Sequence, residues 1–194
     1  MSSMMGYESI YKVGYPQPEA REFRFDNIFA REDRKGTPLL CIATSGSPIE
    51  LIKELLHDLP EPFWFLYVLS VPRSEGEPGR YQTEKNFSRD EANAFLDTFK
   101  NYLESDARHN FWIKAERGSG LLVLDEHNLV YAYGPVDEWA TELLQRGWRE
   151  VAVGEIRLPS PHQHHFHEIF DEDAKRILES QAWIHSPLQP QDRN

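Results

Sequence analysis

"HNFWIKAERGSGLLVLDEHNLVYAY" occupies residues 109–133 and decides the fold class. Three apolar runs, at 109–116, 121–125 and 129–133, are joined by the polar tetrapeptides RGSG and DEHN. Short apolar runs with turn residues between them are typical of consecutive strands in a meander. The stretch therefore predicts three adjacent antiparallel strands, which excludes a doubly wound parallel sheet for the whole chain.

Helices are predicted on both sides of this meander. Ser47 and Ser88 are each followed three residues later by a glutamate, which is the pattern of a helix-starting capping box. Pro135 predicts the start of a third helix, and a fourth begins near Asp171. Apolar residues recur at helical spacing after each start, so each helix is predicted to bury one face.

Three further strands are predicted, at 38–44, 63–71 and 148–158. The second is apolar on both faces, which is typical of a strand in the interior of a sheet. The element order is therefore β-α-β-α-β-β-β-α-β-α. It predicts an α+β fold, with a mostly antiparallel sheet of about five to six strands and three to four packed helices.

One domain is predicted over residues 37–185, preceded by a poorly defined segment at 1–36 and followed by a disordered tail at 186–194. In the first segment, prolines and the charged run REDRK suggest loops, although REFRF alternates and could add one edge strand. The tail is polar and contains two prolines, which favours disorder.

The composition excludes several classes of function. A net charge of −11 repels phosphate backbones and anionic lipids, so neither nucleic acid nor membrane is expected as a partner. The longest apolar run, FWFLYVL, is much shorter than the ~20 residues of a membrane helix. The N-terminus lacks the pattern of a signal peptide, and the single cysteine, Cys41, cannot form an internal disulfide. These features predict a cytoplasmic protein, and the charge leaves a basic protein partner, such as a toxin that the chain neutralises, as one alternative.

The segment "SPHQHHFHEIFDED", residues 160–173, is the main candidate for chemistry. Prolines at its start predict an extended or irregular backbone. In an extended chain His162 and His164 share one face, while His165 and His167 share the other. Two imidazoles about 6.6 Å apart can converge on one zinc ion with bonds of ~2.0–2.1 Å.

A metal site needs a third ligand, and the candidates are Glu168, Asp171 and Asp173 in the same segment or His109 and His127 in the meander. Histidines with a carboxylate would suit zinc or another divalent metal such as ferrous iron. Two other interpretations remain open. The imidazoles could bond to backbone carbonyls and cover one end of the sheet, or they could transfer protons without a metal.

The loop at 73–87 is a second candidate, because Arg73, Arg80 and Tyr81 could bind a carboxylate or phosphate. The loop ATSGSP, before the first helix, resembles a phosphate loop only in its position, since it lacks the required glycines. Three functions thus remain: a metal-binding protein or metal-dependent enzyme, an acidic protein-interaction module, and a small-ligand binder.

Overall fold

The computed structural model describes residues 10–73 and 76–192. Parts of the predicted N-terminal segment (1–9), of the loop at 73–87 (74–75) and of the tail (193–194) lie outside the described residues. Within these described residues there are four α-helices, which are α1 (Pro48–Leu56), α2 (Arg89–Ser105), α3 (Val136–Gln145) and α4 (Asp171–Glu179). The strands are β1 (Val13–Gly14), β2 (Ile28–Arg34), β3 (Thr37–Ala43), β4 (Phe63–Leu69), β5 (Gly79–Thr83), β6 (His109–Ala115), β7 (Leu121–Leu124), β8 (Val130–Tyr133), β9 (Arg149–Glu150), β10 (Gln163–His164) and β11 (Trp183–Ser186).

In the part of the chain that the structure describes, nine strands form one sheet in the order β11-β5-β4-β6-β7-β8-β3-β2-β9, and β1 pairs with β10 in a second, two-stranded sheet. All neighbours in the large sheet are antiparallel except β2 and β9, which are parallel. The α+β class and the meander β6-β7-β8 are confirmed. The position of β4 between β5 and β6 confirms that it is an interior strand. The sheet is larger than the five to six strands predicted.

The helices share one core with one face of the sheet. Most residues of their predicted inner stripes are buried, and in α2 these residues are Ala92, Phe95, Leu96, Phe99, Tyr102 and Leu103. Leu144 of α3 was also predicted to face inward, but it is exposed. Along β3, Leu40 and Ile42 belong to this core, whereas Cys41 and Ala43 belong to a smaller cluster. Because successive strand residues point to opposite faces, the smaller cluster lies on the other face of the sheet.

Two segments predicted as loops are strands. REDRK contributes its first four residues to β2, which pairs with β3 along its whole length, and Lys35 and Gly36 form the turn with positive φ. The charges suggested a loop because they occupy the exposed half of this strand. The predicted loop after β4 contains β5, whose Thr83 is buried and accepts a hydrogen bond from the Phe65 amide at 3.0 Å.

The predicted strand at 148–158 is wrong beyond its start. Only Arg149 and Glu150 pair with a neighbour. A turn follows, in which the Glu155 amide donates to the Ala152 carbonyl and Gly154 adopts φ +84°. Glycine adopts this left-handed backbone without steric cost, so the chain leaves the sheet here. REFRF contributes a single bridge, between Gly14 and Glu22, rather than a strand.

The region after α4 forms β11, which pairs with β5 and lies outside the predicted elements. Beyond it, Pro190–Asp192 forms one turn of 3-10 helix. Among the described residues, no helix has both the length and the apolar character needed to cross a membrane.

The capping box of α2 provides a first testable prediction. The Ser88 hydroxyl accepts from the Glu91 amide, and the Glu91 carboxylate accepts from the Ser88 amide at 2.8 Å. Ser88→Ala leaves a helix-terminal amide without its acceptor, so we expect a loss of about 1 kcal/mol in the free energy of unfolding. Urea denaturation measures it. Thr98→Ala is the control, since Thr98 is exposed in the middle of the same helix and its hydroxyl donates to the Ala94 carbonyl one turn earlier. Equal losses for the two variants would contradict the capping role.

Candidate metal centre

Three imidazoles converge at one end of the sheet. One nitrogen each from His127, His162 and His164 lies within 4.8 Å of the other two. Two nitrogens bound tetrahedrally to one zinc at ~2.0–2.1 Å are about 3.3 Å apart, so the rings need to approach by about 1.5 Å at most. The arrangement could therefore close on a single ion with small side-chain rotations.

The tight turn between β7 and β8 positions His127. Asp125 Oδ1 accepts hydrogen bonds from the amides of His127 and Leu129, both at 2.8 Å, so one carboxylate oxygen shapes the turn. Its other oxygen, Oδ2, lies 3.1 Å from His127 Nδ1. A carboxylate that accepts from one ring nitrogen fixes the tautomer and directs the other nitrogen toward a metal. The His127 Nε2 atom is thus left for coordination.

His162 and His164 come from the histidine segment, where Gln163 and His164 pair with Gly14 and Val13 of β1. His162 Nδ1 lies 3.1 Å from the Pro159 carbonyl and can donate to it, which leaves Nε2 of this ring for a metal. The His164 Nε2 atom is buried and has no hydrogen-bond partner among the residues that the structure describes. Burying such a nitrogen without a partner costs free energy, and coordination to an ion would remove that cost.

The charge states of the rings differ. Burial lowers the pKa of His164 to about 4, and the neighbouring His127 and His162 add to the effect. Burial also disfavours a charge on His127, but the hydrogen bond and charge of Asp125, with that of Glu126, outweigh burial and raise the pKa of His127. His164 is therefore neutral near pH 7, as a ligand must be, whereas protons compete for His127 in the neutral range.

The other pair of histidines lies on the opposite side of the segment. The rings of His165 and His167 are stacked 5.9 Å apart, and those of His162 and His164 are 5.2 Å apart, so the predicted pairing by alternation is confirmed. His167 Nε2 lies 2.7 Å from the Tyr11 carbonyl oxygen. The His165 ring packs edge-on against the Tyr11 ring, with 4.5 Å between the two ring centroids. These two rings fit the alternative in which imidazoles bond to carbonyls and pack over the sheet end.

A buried ion pair holds the histidine segment in place. Arg108 and Asp106, both almost completely buried, form two hydrogen bonds of 2.7 and 2.9 Å. Asp106 also accepts from the His167 amide at 2.8 Å, and Arg108 donates to the His167 carbonyl at 3.0 Å. Asp171, which the sequence suggested as a ligand, instead lies 3.2 Å from Arg108 and from Arg73. The structure thus places Asp171 in this network and outside the histidine triad.

The residues of the second candidate site bind carboxylates and carbonyls of the protein itself. Arg73 pairs with Glu168 and Asp171, each at 3.2 Å. Arg80 donates to both oxygens of the buried Asp192 carboxylate. The Tyr81 hydroxyl donates to the Glu77 carbonyl at 2.7 Å.

The loop before α1 has a similar internal anion. The Glu104 carboxylate of α2 accepts hydrogen bonds from the Ile49 amide and from the Ser47 hydroxyl at the start of α1. A carboxylate at this position satisfies the helix N-terminus in the way that a phosphate would.

Two residues of the site, Asp125 and Lys12, were not identified from the sequence. Asp125 was not singled out, although an aspartate two residues before a histidine in a tight turn is a local signal for the observed bonds. Lys12, which is buried beside the turn, has no local signal at all. Its partners are Leu103 and Asp125, 91 and 113 residues away.

The chain matches no protein-family model, and comparisons with curated proteins and with solved structures found no significant match. The function proposed below therefore rests on the geometry of the triad and its neighbours.

Proposed function

We propose that the protein binds one zinc ion through His127, His162 and His164. The observation that carries the proposal is their convergence within 4.8 Å, with Nδ1 of two rings already bonded to oxygen acceptors. Ligand histidines in zinc sites almost always donate their second nitrogen to a carboxylate or a carbonyl, and Asp125 and Pro159 supply one of each.

Zinc is favoured among divalent metals by the donor set. Three neutral imidazoles with a fourth position left for water are typical of zinc sites that keep an open coordination position. Hard cations such as magnesium and calcium prefer oxygen ligands, which the triad does not offer. Zinc bound in this way lowers the pKa of its water to about 7, which is the chemistry that the ion would supply here.

Calorimetric titration of untagged, chelator-treated protein with zinc sulfate tests this function. We expect one equivalent of zinc to bind per chain. A nickel column must be avoided, because nickel also binds imidazole ligands. Heats that show several weak sites, or no binding at all, would refute the proposal.

The affinity for zinc should depend on pH in a specific way. Zinc must displace any proton on His127, whose pKa is raised, whereas His164 is already neutral above about pH 4. Affinity should therefore begin to fall while the pH is still above the ordinary histidine value of about 6.5, and continue to fall below it. Titrations between pH 5.5 and 8 measure this dependence.

Asp125→Asn separates the two effects of the carboxylate. Without that charge the pKa of His127 falls, so the loss of affinity should begin at lower pH than in the wild type. Without the carboxylate acceptor, the affinity at pH 8 should fall by about 10–100-fold. An unchanged pH profile in this variant would show that Asp125 does not control His127.

A further inference from the structure

Lys12 is one of few charged side chains that the fold buries, with 2% of its surface exposed. Its ammonium group donates to two backbone carbonyls, those of Leu103 and Asp125, each at 2.9 Å. Asp125 is the residue whose side chain shapes the β7–β8 turn and orients His127. The lysine side chain therefore holds the part of the backbone that presents the first ligand.

The backbone of the same residue binds the histidine segment, which carries the other two ligands. The Lys12 carbonyl accepts from the His165 amide at 2.9 Å, and the next residue, Val13, lies opposite His164 in the β1–β10 pairing. The histidine segment thus reaches the triad as the partner strand of β1. Lys12 is in this way bonded both to the turn that carries His127 and to the strand that carries His164.

We propose that Lys12 is a positioning residue of the metal centre, and that zinc binding and the docking of the N-terminal strand stabilise each other. The inference rests on the proposed zinc function and adds residues 10–14 to the site. Reciprocity follows from linkage: if docking of the strand increases zinc affinity, bound zinc must hold the strand in place by the same free energy.

The direction in which zinc affinity changes when Lys12 is replaced distinguishes a positioning role from electrostatic repulsion by the ammonium. A lysine ammonium near a divalent cation repels it, so removing the charge alone would increase zinc affinity. Removing the two carbonyl contacts would decrease affinity, because the turn and the strand lose their common anchor. Four acidic residues, Asp125, Asp106, Glu126 and Glu104, attract the ammonium, and their negative charge reduces the net repulsion that a cation bound nearby would meet. The positioning effect should therefore dominate.

Lys12→Met removes the ammonium and keeps a long apolar side chain. We expect zinc affinity to fall about tenfold or more, and the visible absorption bands of the cobalt-substituted protein to change in position and intensity. Lys114→Met is the matched control. Lys114 also donates to two backbone carbonyls, of Ala115 and Gly118 at 2.8 Å, but at the opposite end of the β6–β7 hairpin. Its zinc affinity and cobalt spectrum should equal those of the wild type.

Hydrogen exchange of the wild-type protein tests the same coupling without a mutation, and remains decisive if Lys12→Met does not fold. Zinc should slow amide exchange in residues 10–15 and leave the β6–β7 turn unchanged. Unchanged or higher zinc affinity in Lys12→Met, or zinc binding without slower exchange at 10–15, would overturn the positioning role and leave the zinc function intact. Absence of zinc binding in the wild type would overturn both.

Discussion

Asp106→Ala is expected to lower the free energy of unfolding by about 3–5 kcal/mol. Arg108 has 1% of its side chain exposed, and Asp106 supplies both carboxylate oxygens to it. Without Asp106 the guanidinium remains buried, and its remaining partners among the described residues are the Asp171 carboxylate at 3.2 Å and the His167 carbonyl at 3.0 Å. The cost arises because a buried charge loses its main partner, and not because salt bridges stabilise proteins in general.

Urea denaturation of matched variants measures this effect. Asp173→Ala removes an ion pair with Arg176 at the protein surface, and we expect a change within about 0.5 kcal/mol. The double variant Asp106→Leu/Arg108→Met should lose less stability than Asp106→Ala, since it leaves no buried charge without a partner. A small loss in Asp106→Ala, similar to that of Asp173→Ala, would contradict the buried network as described.

His164→Ala is expected to reduce zinc affinity by more than the roughly 100-fold that loss of an outer-sphere partner can cause. His164 supplies a neutral, buried nitrogen, and only two of the three imidazoles would remain without it. His165→Ala is the control. It changes the adjacent residue on the opposite side of the segment and keeps the backbone amide that donates to Lys12, so its affinity should fall far less than that of His164→Ala.

Thermal and urea unfolding in the presence of zinc provide an independent measurement of the difference in zinc affinity between His164→Ala and His165→Ala. A ligand that binds only the folded state stabilises it by about 2.7 kcal/mol when its free concentration is 100 times the dissociation constant. Wild type and His165→Ala should show this gain, and His164→Ala should show little. Equal, small losses of affinity at all histidines of the segment would instead indicate nonspecific chelation.

The predictable part of the fold consists of elements with strong local signals. The capping boxes at Ser47 and Ser88 and the two polar turns of the meander determine their own conformation within a few residues. The strands β5 and β11 carry no such signal, because they bury few residues: β5 buries only Gly79 and Thr83, and β11 is partly or fully exposed along its length. The strand predicted at 148–158 was wrong because the apolar residues around Gly154 resemble a strand, whereas Gly154 lies in a turn.

The site shows the same division. Alternation placed His162 with His164 and His165 with His167, since side-chain direction along an extended segment depends only on the local backbone. Which of His109, His127 and three carboxylates completes the triad depends on the tertiary fold. His109 is completely buried between the rings of Tyr67 and Tyr102, and Asp171 faces two arginines. No local pattern predicts these contacts, because each joins distant parts of the chain.

Anomalous diffraction at the zinc absorption edge, from crystals of untagged protein grown with zinc, would locate the ion and its ligands in one measurement. We expect one strong peak at ~2.0–2.1 Å from Nε2 of His127, His162 and His164. The Nδ1 atoms of the first two should still contact Asp125 and Pro159. A peak between His165 and His167, a peak at Asp171, or no peak within reach of the triad would contradict the proposed zinc site.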